Sequence, residues 1–136
     1  MATVNLIQSK RSQSKAGLKF ILSFYKHDSK TVYGDKKLIG GVNCVAESAY
    51  HEMLSTKMRY GKTDGRMFYH LVQSFSPEEN ITPETAHEIA LKFAEREFPE
   101  YEVLVATHTD KAHIHSHFII NSVNCENGYK LRPPKD

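Results

Sequence analysis

The 136-residue sequence predicts a single α+β domain, with helices packed on one antiparallel sheet of about five strands. Three observations carry that expectation. ITPETAHEIALKFAEREFP (81–99) has the apolar spacing of an amphipathic helix. RMFYHLVQSF (66–75), YEVLVATH (101–108) and HIHSHFIINSV (113–123) are rich in the β-branched and aromatic residues of strands. The connections between the last three predicted strands are too short for a parallel crossover, so those strands run antiparallel.

Each element has a local reason. TVNLI (3–7) reads as a short strand. From Lys15 to about Tyr25, Leu18, Ile21, Leu22 and Tyr25 recur at helical spacing. LIGGVNCV (38–45) reads as a strand or loop broken by Gly40 and Gly41, and AESAYHEMLSTKMRYG (46–61) as a helix ending near Gly61. In the long helix, Thr82 caps, Pro83 occupies the first turn, and Ala86, Ile89, Ala90, Phe93 and Ala94 form the apolar stripe. Asn127-Gly128 signals a tight hairpin into YKLR.

Composition excludes several classes. No run approaches 18 uncharged apolar residues, which argues against membrane insertion, and the first residues lack a signal peptide's apolar core. Cys44 and Cys125 have no CxxC spacing, which argues against a zinc ribbon or disulfide scaffold and fits a cytoplasmic location. The formal net charge is only +2, but it is unevenly spread. Residues 1–37 hold eight Lys or Arg against Asp28 and Asp35, and KMRYGKTDGR (57–66) is a second basic stretch. Such asymmetry marks either a polyanion-binding face or a solubilising terminus. Phosphate contacts are expected from Lys15, Lys19, Lys26 and Lys30, and from Lys57, Arg59, Lys62 and Arg66. Phe24 or Tyr60 are candidates to stack on bases.

The stretch HTDKAHIHSHFIIN (108–121) packs four histidines into ten positions. On a strand His113, His115 and His117 share one face, with Ile119 and Asn121. His113 and His117 have Cα atoms roughly 13 Å apart, too far to converge comfortably on one ion. The predicted metal ligands are therefore His115, His117 and, across the short turn, His108, with His113 nearer the mouth. Three imidazoles with open positions make a catalytic rather than a closed structural metal site. His51-Glu52 and His87-Glu88 are followed at the HExxH position by Ser55 and Leu91, and neither a Gly-rich phosphate loop nor a GxSxG elbow is present.

His108, Asp110, His113, His115, His117 and Asn121, spaced H-x-D-x-x-H-x-H-x-H-x-x-x-N, resemble the third motif of relaxases. These nucleases of the HUH superfamily nick plasmids and conjugative elements for mobilisation. The pattern is most similar to the MobA/VirD-like (MOB-P type) branch, whose N-terminal helix carries a tyrosine. YKHDSKT (25–31) occupies that place. One residue departs: Ser116, between the last two histidines, is polar where the superfamily has a hydrophobe.

The resemblance implies an HUH-endonuclease-like fold over residues 1–136, either a catalytic fragment or an unusually short domain. It implies that Tyr25 attacks a phosphodiester of single-stranded origin-of-transfer DNA and remains on the 5′ phosphate. It implies a divalent cofactor, manganese or magnesium in the family, although imidazoles also suit zinc, cobalt or nickel. Asp110 is placed to accept or orient the phenol proton or to support a ligand, and His113 is a rival for that task. Asn121 would hold backbone or DNA. An accessory DNA-binding protein and a type IV secretion coupling protein are implied partners. Tyr33 and Tyr60 are substitute nucleophiles, and Tyr25 itself can be read as the core aromatic of its stripe. Two alternatives stand beside this reading. One is an HUH replication initiator or transposase, whose tyrosine would follow the histidines at Tyr129. The other is a histidine-ligated metal-dependent hydrolase with no DNA function.

Overall fold

A computed structural model of the chain describes residues 3–7, 13–26, 31–34, 36–109 and 113–131. Its elements are β1 (Thr3–Ile7), α1 (Lys15–Tyr25), β2 (Val32–Tyr33), β3 (Lys36–Lys37), β4 (Ile39–Val42), α2 (Ala49–Arg59), β5 (Phe68–Phe75), α3 (Pro83–Glu97), β6 (Val103–His108) and β7 (Ile114–Asn121). Five strands form one sheet in the order β1-β5-β7-β6-β4, and every neighbouring pair is antiparallel. The α+β expectation holds, with β2 and β3 as a separate two-stranded ribbon. Among the described residues no helix is long and apolar enough to cross a membrane.

Alternation along the strands divides the interior into two layers. Phe68, Leu104 and Ile119 face α1 and α2, where Leu18, Ile21, Leu22, Ala49 and Met53 complete a core. Tyr69, Leu71, Val103, Val105, Phe118 and Ile120 face α3, against Ala90 and Ala94. The two helices that matter most are capped as their sequences demand. Ser14 accepts from Gly17 N at 3.0 Å to start α1, and Thr82 accepts from Thr85 N at 3.2 Å to start α3.

Three local readings change. In α3 the buried stripe is Ala86, His87, Ala90 and Ala94, and Ile89 is exposed. His87 takes the inward place because it has a buried hydroxyl partner. Gly40 and Gly41 do not break β4. A Cβ on Gly40 would lie 2.9 Å from Leu91 Cδ2, and one on Gly41 would collide with the Cys44 carbonyl oxygen. Glycine there lets α3 and the following turn approach the strand. Finally, Asn127-Gly128 does not open a two-residue hairpin. Gly128 N donates to Asn124 O across a wider turn, and Asn124 Oδ1 accepts from Glu126 N and Asn127 N. Among the described residues a single bridge, Val123 to Lys130, follows.

Candidate active site

Strand register assembles the histidines. His108 and His115 are cross-strand partners, and His117 lies opposite Ala106 on one side and Val72 on the other. Residues two along from those positions share the face, so His70 of β5 joins His108, His115 and His117 on the α1 side of the sheet. The ring centroids of His108 and His117 are 4.4 Å apart, and those of His115 and His117 are 6.4 Å apart. His113 is exposed at the outer end, with its ring 6.1 Å from that of His115.

Tyr25, the last residue of α1, is half-buried and lies on this group. Its ring stacks on His117 at 4.4 Å and on His108 at 5.4 Å, and meets His70 at 4.7 Å with an interplanar angle of 63°. His108 Nε2 lies 3.2 Å from the Tyr25 carbonyl oxygen and can donate to it, tying the end of α1 to the end of β6. The helix stripe of Leu18, Ile21 and Leu22 thus delivers Tyr25 to the histidines. Tyr33 is exposed on β2, while the Tyr60 hydroxyl donates to Glu126 O, beside the turn that follows β7.

His70 was not singled out from sequence. It is 2% exposed, and its Nε2 lies 2.9 Å from His117 Nδ1. Burial, with His108 nearby, pushes its pKa down to about 4, so the ring is neutral and has one N–H and one lone pair. A signal existed only in the register: His70 lies two residues before Val72, the partner of His117.

The donor set suits a divalent metal: three imidazoles on one sheet face at the ends of two paired strands, one with a histidine at its other ring nitrogen. Among the described residues, however, no three His, Cys, Asp or Glu side chains stand close enough together to hold an ion. Asp110 lies outside the described residues.

Ser116, the residue that departs from the family pattern, faces the opposite side. Its Oγ lies 2.8 Å from Thr107 Oγ1, which in turn lies 2.8 Å from His87 Nδ1 of α3. Thr107 and Ser116 are cross-strand partners and both are wholly buried. A hydrophobe at 116 would leave Thr107 with one bond fewer, so a serine fits this pair. Burial lowers the pKa of His87, which favours the neutral ring.

The basic residues separate into two groups. Lys15 and Lys19 are exposed on α1, and Lys26, beside Tyr25, is half-buried with Nζ donating to Ala46 O at 3.1 Å. Lys30 lies outside the described residues. Exposed Arg66 donates to Phe68 O, the register partner of Asn121, half-buried Lys62 donates to Gly128 O in the turn beyond β7, and exposed Arg59 lies over the Tyr60 ring.

Lys57 and Asn121 are a correction. Lys57 is expected at the DNA and Asn121 at either backbone or DNA; both are 0% exposed, and Asn121 takes the backbone role. Lys57 Nζ donates to Met67 O at 2.6 Å, Asn121 Oδ1 at 2.6 Å and Ser122 Oγ at 2.9 Å. Asn121 Nδ2 donates to Glu102 Oε1 at 2.8 Å and Met53 O at 3.1 Å, and Thr56 donates to Glu102 Oε2 at 2.9 Å. This network ties α2 to the central strands roughly 13 Å along β7 from His117. Burial, reinforced by Lys130, lowers the Lys57 pKa to about 8, and burial raises that of Glu102.

Comparisons with known proteins agree with one another. The sequence profile of the relaxase family described as "MobA/VirD2-like, nuclease domain" matches residues 25–136. A Staphylococcus aureus "Protein rlx" is 43% identical over 96 residues, which cover 71% of this chain and 30% of the relative. Another from the same organism is 36% identical over 117 residues, covering 84% and 35%. The "Group II intron-interrupted relaxase LtrB" of Lactococcus lactis subsp. cremoris (strain MG1363) is 47% identical over 68 residues, covering 49% and 12%. The chain spans about a third of the length of the rlx relatives.

Proposed function

The chain belongs to the MobA/VirD2-like relaxase nuclease family, and from that premise we propose that it nicks single-stranded DNA at an origin of transfer, with Tyr25 as nucleophile. The observation that carries this reading is the Tyr25 ring held against His70, His108 and His117 at the end of the central strands. In the step, the Tyr25 oxygen forms a bond to phosphorus and the bond from phosphorus to the 3′ oxygen breaks. The phenol proton passes to a base, Asp110 or His113, and the departing 3′ oxygen takes up a proton. The products are a 5′-phosphotyrosyl strand and a free 3′ hydroxyl, and the reverse reaction rejoins them.

His108, His115 and His117 would hold the divalent ion. When bound, such an ion polarises the phosphate oxygens and offsets the charge that builds on them. His117 keeps its Nε2 lone pair available to an ion only when its Nδ1–H donates to His70, and a neutral His70 can accept that bond. The register of His108 against His115 fixes the spacing of the other two ligands. The accessory protein and coupling protein of a mobilisation system belong to this reading as partners.

The position of the tyrosine favours a relaxase over a replication initiator. Tyr129, which follows the histidines, is 72% exposed in the turn region beyond β7. A direct test incubates the chain and manganese with single-stranded oligonucleotides tiling the element that encodes it. A denaturation-resistant adduct mapped to Tyr25, absent from Tyr25→Phe, is the expected result. Cleavage by Tyr25→Phe with no tyrosine adduct would replace this reading with a hydrolytic nuclease.

A further inference from the structure

α1 has two unlike flanks on its solvent side. At about 100° per residue, Leu18, Ile21, Leu22 and Tyr25 point to the sheet, and two stripes flank that buried face. One stripe is cationic: Lys15, Lys19 and Lys26 fall within about 40° of one another around the helix. The other is aromatic: Phe20 and Phe24 lie one turn apart, with ring centroids 6.0 Å apart and planes within 14°. Their exposures are 45% and 40%, high for phenylalanine. Between the stripes, at the crest of the helix, stand Ala16 and Ser23, both small.

We propose that this face of α1 is a two-sided track for single-stranded DNA, with bases stacking on Phe20 and Phe24 and phosphates lying along Lys15, Lys19 and Lys26. The track rests on the relaxase reading and deepens it by assigning where the strand beside the scissile phosphate lies. Its geometry leads into the site. The Phe24 ring meets the Tyr25 ring edge-on at 5.0 Å, so a base on Phe24 is carried to the neighbour of the proposed nucleophile. On the cationic flank, Lys26 and Lys37 line an open cavity of about 360 Å³ with Ile39, Ala46 and Glu47, which gives the phosphate side room. The small crest residues let one strand straddle the helix, bases to one side and backbone to the other. Single-stranded nucleic acid uses both flanks, because every base has a π-face and every linkage a charge.

The test compares oligothymidylate with an abasic strand of equal length, by fluorescence anisotropy at low salt. Wild type should prefer the base-bearing strand by about fivefold or more, since stacking on one ring contributes about that much per base. Phe20→Leu/Phe24→Leu keeps the apolar volume and removes the π-faces. It should bind the abasic strand as wild type does and lose the preference. Lys15→Glu/Lys19→Glu should weaken both strands alike and flatten the dependence of log K on log salt. A preference that survives in the leucine pair overturns the track and leaves the Tyr25 adduct untouched. A leucine pair that changes only the oligomeric state, read by light scattering, makes the patch a contact between copies and also overturns it. Wild type that binds neither strand overturns the track, while the Tyr25 adduct assay on element-derived oligonucleotides decides the relaxase reading separately.

Discussion

Asn121→Ala should damage the fold rather than the grip on DNA. The substitution removes the acceptor of the Lys57 ammonium at 2.6 Å, the donor to Glu102 at 2.8 Å and the donor to Met53 O at 3.1 Å. The first two are buried bonds to ionisable groups, each contributing roughly 1.5–3 kcal/mol, and the third contributes about 1 kcal/mol. Partial rearrangement recovers some of that sum, so a net loss of about 3–5 kcal/mol is expected, typical of a broken buried ionic network. For a chain of this length that corresponds to a fall in Tm of roughly 10–20 °C. Differential scanning calorimetry at neutral pH measures it, with oligonucleotide affinity recorded well below the lowered Tm. The network reading requires a large thermal shift with nearly unchanged affinity. A shift under about 3 °C accompanied by weakened binding would refute it and return Asn121 to the DNA contacts expected from its place in the histidine motif.

Lys57 offers a pH dependence with a definite sign. Its folded pKa, about 8, lies below the ordinary 10.5, so the unfolded chain holds more protons between those values. Stability therefore rises with pH across that window, by roughly 3 kcal/mol in all. The slope should vanish in Lys57→Met, so urea unfolding of the pair from pH 8 to 10.5 should show a difference that grows with pH. A flat difference would mean the three acceptors hold the ammonium as firmly as water does. His70→Leu should weaken manganese binding by about 10- to 100-fold in calorimetry, and His70→Gln, which keeps an acceptor, should recover part of the loss. Equal affinity in His70→Leu would remove His70 from the support of His117.

The histidine face was legible because a strand repeats every two residues, so His115 and His117 had to point together and His108 had to stand across a short turn. His70 was not legible, because placing it beside His117 requires the register between β5 and β7, strands separated by a helix and another strand. Lys57 misled for a different reason. It occupies the inward row of α2 with Ala49 and Met53, but a lysine in a basic run reads as surface unless its buried acceptors are known. Ser116 looked like a flaw in the motif until its hydroxyl met that of Thr107 on the far side of the sheet. The cap of α3 at Thr82 was local chemistry and needed nothing beyond the sequence. The turn at 124–128 was local too, but the side chain of Asn124 decided its width, and a two-letter turn signal does not contain that residue.

The way α1 is fastened at both ends has a mechanical meaning. Gln13 Oε1 accepts from Met67 N at 2.6 Å and Phe68 N at 3.2 Å at one end of the helix, and His108 reaches the Tyr25 carbonyl at the other. A strand covalently joined to Tyr25 would pull on the tail of this helix, and that tension would have somewhere to go. At the near end it passes through the backbone of α1 into β6, and at the far end into the start of β5. Both are interior strands, each hydrogen-bonded along its two sides. Peeling the helix from its last turn must first break the His108 contact, which is anchored in β6. The tyrosine is thus moored to two interior strands, and a towed DNA strand would tug against both at once.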